Sequence, residues 1–157
     1  MNNPQMPSLE GSVYFYPPEY YVFDNFSSFQ VEYKGKAYPT SEHAFQSVQF
    51  ITSNPELAEV IRNAKSAHEA QKLAEENKDK RDTHWDEIKL RIMKEILYCK
   101  VEQHPYVKKK LLQSKGREII EDSWRDDYWG WGENKKGKNW LGHLWMDIRE
   151  EIMNLRD

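Results

Sequence analysis

Two carboxylates offer this chain its best chemistry, Glu42 and Asp126, and each comes in telling company. Glu42 stands in PTSEHAFQ, just inside a predicted helix start. A glutamate there ordinarily does no more than complement the helix dipole, and taken alone that is the simpler reading. Phe45, Gln46 and Gln49, however, lie on or near the same helical face. A carboxylate beside such a surface is partly desolvated, which raises its pKa and makes a general acid of it. Asp126 stands in WRDDYWGWGENKKGKNWLG, residues 124–142. Its plain reading is an Asx turn ahead of a glycine-rich loop; its chemical reading is a second carboxylate beside an indole platform. The neighbouring Asp127 points elsewhere in most backbone conformations. A third candidate is Lys65, in RNAKSAHEA before a helix N-terminus. Lysines there are usually solvated, but one can help hold a phosphate or, if desolvated, attack an opened sugar aldehyde as an amine.

The stretch around Asp126 holds four of the six tryptophans and four of the seven glycines. It is too rich in Gly, Asn and Lys for a regular helix or strand, and too rich in Trp for a slack linker. What remains is an ordered loop that sets aromatic faces, carboxylates and cations side by side. That mixture suits a planar ring joined to something anionic. Other signatures are missing: no phosphate-binding P-loop, dinucleotide fingerprint, HExxH, GxSxG or paired-cysteine motif. The histidines (His43, His68, His84, His104, His143) share no metal-ligand spacing on one predicted helix. No metal and no cofactor is therefore expected.

These residues need elements to position them. The chain of 157 residues suffices for one domain with a sizeable core. A net charge of −3 argues against a general nucleic-acid coat protein, though not against a local basic patch. The single cysteine, Cys99, excludes an internal disulfide and reads as a small buried hydrophobe. The opening MNNPQMPSLEG lacks the pattern of a signal peptide, and no apolar run approaches the ~20 residues of a membrane helix. A cytoplasmic location is the default, and a nuclear or nucleoid one is compatible. Residues 1–11 read as a disordered tail. A strand is expected over 13–16, a hairpin over 30–38 turning at Lys34-Gly35-Lys36, and a helix from Ser41 to about Ser53. Further helices are expected from Pro55, from the capping box at Ser66, from a similar start at Thr83 to about His104, and from Pro105 to Gly116. A short strand over 118–121 precedes the loop, and a closing helix carries Leu141, Leu144, Trp145, Ile148, Ile152 and Leu155 on its inner face. The fold class is α+β, predominantly α-helical, one domain over 12–157 with a small β element drawn from the N-terminal region and Ile119.

Five segments then resemble one family in the right order. NFSSF at 25–29, PTSEHAFQ at 39–46, the AKSAHEA region with Trp85 after it, the Asp126, Trp129, Gly130, Gly132 loop, and GKNWLG at 137–142 are all similar to NADAR (YbiA-like) proteins. The resemblance implies an N-glycosidase that cleaves the bond between C1′ of a ribose and a nitrogen. It implies Glu42, Trp85 and Asp126 as the catalytic set, with Lys65 as a candidate for a covalent sugar intermediate. Substrate contacts would fall to Asn25, Phe26, His43, Gln46, Arg81, Trp129, Gly130, Gly132, Lys138 and Asn139.

Two substrates are compatible with that resemblance. One is ADP-ribosylated guanine in DNA or RNA; the other is the ribosylamino-pyrimidine phosphate intermediates of riboflavin synthesis. The expected partner is thus a ribosyl-phosphate or ADP-ribose-containing substrate, with no membrane partner and with the oligomeric state open. A non-catalytic module that reads NAD or ADP-ribose is the competing class. The enzymatic reading carries a geometric expectation, that Glu42 and Asp126 meet across one cleft.

Overall fold

Polar capping residues punctuate this chain, and most of them start helices where the pattern predicts. The structure, a computed structural model, describes residues 12–14 and 18–156. The predicted tail over 1–11 and the end of the strand predicted for 13–16 lie outside the described residues. Residues group into two compact units, Asn25–His104 on one hand and the segments up to Asp24 and from Pro105 on the other. The architecture is α+β and predominantly helical.

In the unit Asn25–His104, β2 (Val31–Tyr33) and β3 (Lys36–Tyr38) form an antiparallel hairpin that pairs Tyr33 with Lys36. The turn is therefore two residues, Lys34 at φ 50° and Gly35 at φ 82°. Both are left-handed, which matches the twist of the strands it joins. Helices α1 (Ser41–Val48), α2 (Pro55–Arg62), α3 (Ala67–Glu76) and α4 (Trp85–Gln103) follow. Thr40, Asn54 and Ser66 cap the first three through their side chains, and Pro55 occupies a first-turn position where its missing N–H costs nothing. Around Phe50, the alanines Ala58, Ala70 and Ala74 and Ile61 make a close-packed cluster. Helix α1 packs on α2, α3 and α4.

Two starts and stops differ from expectation. Helix α1 ends at Val48 instead of about Ser53. The Asp82 carboxylate accepts from the amides of Thr52 and Ser53, and the Asp82 amide donates to the Gln49 carbonyl at 2.7 Å. A distant acid thus takes the groups that another helical turn would have used. Helix α4 has no side-chain cap at Thr83; its N-cap is His84, at φ 67°. Lys100, on α4, is fully buried and donates to Ser27 Oγ at 2.9 Å.

In the other unit, β1 (Val13–Tyr14) pairs in parallel with β4 (Ile119–Ile120), so the expected single small sheet is instead two separate strand pairs. A 3₁₀ segment spans Pro18–Phe23. Helix α5 (Pro105–Gln113) ends ahead of Gly116 at φ 79°, and α6 (Trp140–Arg156) closes the chain. Trp145 is fully buried and its Nε1 donates to the Phe23 carbonyl at 3.1 Å. Arg149 Nη1 donates to the carbonyl and hydroxyl of Ser114, and burial pushes its guanidinium below the usual arginine range. No helix among the described residues is long and apolar enough to cross a membrane.

Two stability predictions follow from the hairpin. A Cβ at Gly35 meets no atom within 4 Å, so Gly35→Ala pays only the left-handed backbone penalty; urea unfolding should show a loss of about 1 kcal/mol. The hairpin is also stapled to α2. Arg62 donates to both oxygens of Glu59 at 2.7 and 2.9 Å and to the Ala37 carbonyl, and Lys36 reaches Glu59 at 3.3 Å. The Arg62 hydrogen bonds first, then Lys36, hold the Glu59 carboxyl down to about 2, against an ordinary 4.5. A carboxyl depressed in the fold adds stability above its unfolded pKa and loses it as pH falls toward the folded one. Melting measured from pH 5 down to about pH 2 should therefore fall less steeply in Glu59→Gln than in the parent, by a small margin because the pair is solvent-screened.

Candidate active site

The first turn of α1 is buried, and the amides of Glu42 and His43 there are given partners within the protein. Glu42 N donates to the Asn25 carbonyl at 3.0 Å, and Ser41 Oγ donates to Asn25 Oδ1 at 2.9 Å. Thr40 Oγ1 accepts from His43 N at 3.1 Å. The His43 ring, 1% exposed, lies 3.0 Å through Nε2 from the Ala64 carbonyl and 2.8 Å through Nδ1 from Thr40 Oγ1. A carbonyl can only accept, so Nε2 carries a hydrogen. Both ring nitrogens are thus used within the protein, where His43 helps position α1.

Glu42 is 5% exposed, and Gln46 Nε2 approaches its Oε2 at 3.5 Å. The direction of that amide is fixed from further along the helix. Gln49 Nε2 faces the Phe45 carbonyl at 3.3 Å and also donates to Gln46 Oε1. Gln46 must then turn its NH₂ toward Glu42. The face Glu42, Phe45, Gln46, Gln49 predicted from spacing is present, and Trp85 packs on it, its ring 5.2 Å from that of Phe45. Trp85 is buried, and its ring partner is a protein side chain.

Other predicted residues of this unit stand as follows. Asn25 is buried as the anchor of α1, and Phe26 is half-buried. Arg81 is half-buried, with Nη2 3.8 Å from Glu75, and its buried Nε has no partner among the described residues. Lys65 is exposed, so its ammonium is solvated where a nucleophilic amine needs desolvation; its backbone N–H donates to Glu69 Oε2 at 2.8 Å, closing the capping box one residue early. A groove of about 510 Å³ between β2 and α4 involves none of the predicted site residues; Tyr33, Glu95 and Cys99 line it. Burial pushes the Cys99 thiol up, as does the charge of Glu102, which leaves it a poor nucleophile.

The loop of the other unit is laced by its own backbone. Trp131 N donates to Glu121 O, Gly132 N to Ser123 O, Lys138 N to Asp127 O and Asn139 N to Gly130 O. Asp126 is an Asx turn: Oδ1 accepts from Tyr128 N at 2.9 Å and Trp129 N at 2.8 Å, while Oδ2 has no hydrogen bond among the described residues. Trp129 is half-buried, edge-on to Tyr128, and Lys138 Nζ stands 5.7 Å from the Tyr128 ring. Three expected substrate contacts, Gly130, Gly132 and Asn139, make close contacts within the protein. A Cβ on Gly130 would fall 2.7 Å from the Glu121 carbonyl and 2.9 Å from that of Asp126. One on Gly132, at φ 73°, would fall 2.8 Å from Asp127 Cβ. The close approach that these glycines permit is made by the protein itself. Asn139 likewise holds β4, accepting from Glu121 N at 2.8 Å and donating to the Ile119 carbonyl at 2.9 Å.

Residues 14–153 match the NADAR domain family. This chain belongs to the NADAR family. Among its relatives, the N-glycosidase YbiA of Escherichia coli (strain K12) is 34% identical over 134 residues, covering 85% of this chain and 82% of that one. The NMR structure of the E. coli protein YbiA superposes with a TM-score of 0.85 at 31% identity, over 98% of this chain and 92% of that one. The N-glycosidase Npun_R5314 of Nostoc punctiforme is 33% identical over 92% of this chain and 94% of its own length. The riboflavin biosynthesis protein VVA0006 of Vibrio vulnificus is 30% identical over 92% of this chain, which spans 39% of that longer protein.

The NADAR match runs through both compact units, so family membership covers Glu42 and Asp126 alike. Pattern reading had missed Asp82, Glu121 and the anchoring of Asn25, because their partners lie far along the chain; only the Thr40 cap carried a local signal. The lacing of the loop makes a prediction. Gly130→Ala drives a methyl into two carbonyls and should destabilise the protein by about 1–3 kcal/mol, read as a lowered melting temperature with a changed tryptophan emission.

Proposed function

We propose that this chain is an N-glycosidase that hydrolyses the bond between C1′ of a ribose and a nitrogen of its base. The observation that carries the proposal is Glu42: a buried carboxyl on a helix whose first turn is locked by Asn25, Thr40 and His43. Burying an acid costs stability that hydrogen bonds only partly offset, and acids so placed are enriched at functional sites. A module that only binds NAD or ADP-ribose has no need of it, and the relatives named above are enzymes by name.

In the proposed reaction the C1′–N bond breaks with its electron pair passing to nitrogen, which takes a proton from Glu42. The ribose carries the resulting positive charge in an oxocarbenium-like state. Water adds to C1′ and returns a proton to Glu42. Asp126 orients the sugar hydroxyls and stabilises the positive charge through its second oxygen. Trp129 and Trp85 flank the base or ribose, and Lys65 and Arg81 are assigned to phosphate.

For the base and its context we carry two substrates. The kinship with riboflavin biosynthesis proteins supports the phosphoribosylamino-pyrimidines. A lysine-rich run over 104–117, containing Lys108, Lys109, Lys110, Lys115 and Arg117 and no acid, supports ADP-ribosyl-guanine in nucleic acid. The reaction is assigned to the cytoplasm, in keeping with a single, poorly reactive cysteine.

Two isosteric variants test the mechanism on both substrates. Glu42→Gln should lower kcat about 10²–10⁴-fold. Asp126→Asn keeps the Asx-turn acceptor and loses only charge, so its folding should be unchanged while kcat falls. If the two acids serve one bond, the double variant should lose little more than the worse single one. Near-parental turnover in both single variants would overturn the assignment.

A further inference from the structure

We propose that Trp124, backed by Arg125, is a stacking platform for a nucleobase next to the modified nucleotide in a single-stranded nucleic-acid substrate. This rests on the nucleic-acid arm of the function proposed above.

Trp124 is 64% exposed, whereas Trp85 and Trp145 are buried and Trp129, Trp131 and Trp140 are half-buried. So large an apolar ring in water adds little burial to the fold, and its exposed face is of the kind on which bases stack. Its exposure does not come from a slack backbone. On one side Gly132 N donates to the Ser123 carbonyl at 3.0 Å; on the other, Asp126 Oδ1 holds the amides of Tyr128 and Trp129. The indole is therefore presented from a tethered turn, and little ordering remains to be done on binding.

One face of the ring is covered by a cation. The Arg125 guanidinium carbon lies 4.8 Å from the Trp124 centroid. The same pairing recurs twice in the loop, with Lys135 Nζ 5.6 Å from Trp131 and Lys138 Nζ 5.7 Å from Tyr128. Three ring–cation pairs in one short loop match the chemistry of a nucleic-acid strand, whose bases stack on aromatic faces while cations meet its phosphates. Of the three rings, only Trp124 is exposed, and it lies two residues from Asp126. A duplex offers no free base face, so the partner is a single strand. ADP-ribosyl-guanosine alone carries its guanine and the adenine of ADP-ribose, both also present in the oligomer, but no flanking nucleotide.

The test compares one guanosine carrying ADP-ribose with a single-stranded DNA oligomer containing one such guanine. Trp124→Ala should raise KM on the oligomer about 5–100-fold, the range expected for one lost base stack, with kcat unchanged. Its kcat/KM on the monomer should be unaltered, and Trp124→Phe should recover most of the loss. An unchanged KM on the oligomer would overturn the platform. So would an equal loss on both substrates, since the ring would then hold a base common to the two, the guanine or the adenine of ADP-ribose. If the parent protein cleaves neither, the nucleic-acid arm of the proposed function fails separately. An unmodified oligomer titrated against tryptophan fluorescence then still decides the platform: weaker binding by Trp124→Ala supports it, and parental binding sinks it. An acidic peptide that quenches Trp124 more strongly than the oligomer would also overturn it.

Discussion

The buried N-terminus of α1 is the constraint on which the candidate chemistry depends. A helix leaves its first amides without internal partners, and in this protein the first turn is buried. The Asn25 carbonyl accepts from Glu42 N and Thr40 Oγ1 from His43 N, while Ser41 Oγ donates to Asn25 Oδ1 and His43 ties the turn to Ala64. The arrangement leaves Glu42 little freedom. Side-chain order then runs on along the helix, where the Phe45 carbonyl sets the Gln49 amide and Gln49 sets Gln46. A carboxyl oriented before substrate arrives needs no reorganisation during the reaction.

The loop around Asp126 solves a different problem. It must hold a polar turn still without strands or helices to do so. Glycine is the means: at Gly130 and Gly132 neighbouring chain lies where a Cβ would stand, and the backbone hydrogen bonds fill the space that side chains would have taken. The rings are held by their own pairings, Tyr128 against Trp129, and Trp131 Nε1 donating to Asp122 at 2.8 Å. Rigidity and the proposed chemistry thus draw on the same residues. The Asx turn uses one oxygen of Asp126 for structure and leaves the other available for charge.

Several assignments changed meaning once contacts were visible. Gly130, Gly132 and Asn139 fit the family pattern, yet their close contacts are with Glu121, Asp127 and Ile119. His43, beside Glu42 in sequence, works through both nitrogens as a tether. These contacts hold the local backbone in place. Trp124 has the reverse character, a ring that contributes little to the core and stands in solvent.

Helix starts at Ser41, Pro55 and Ala67, the hairpin, the buried face of α6 as far as Ile152 and the ordered nature of the tryptophan-rich loop were all legible in sequence; Leu155, expected on that face, is 84% exposed because it lies in the helix's last turn. Each rests on neighbours within about one or two helical turns: a cap, a period or a turn residue. The family was legible too, since motif order needs no coordinates. Tertiary structure alone decided that α1 stops at Val48, that His84 rather than Thr83 begins α4, and that the strands form two pairs. It alone decided which glycines serve the backbone and which indole faces water. Those outcomes hang on partners tens of residues away, as Asp82 is from Thr52 or Asn139 from Ile119, and a local pattern carries no record of such a partner.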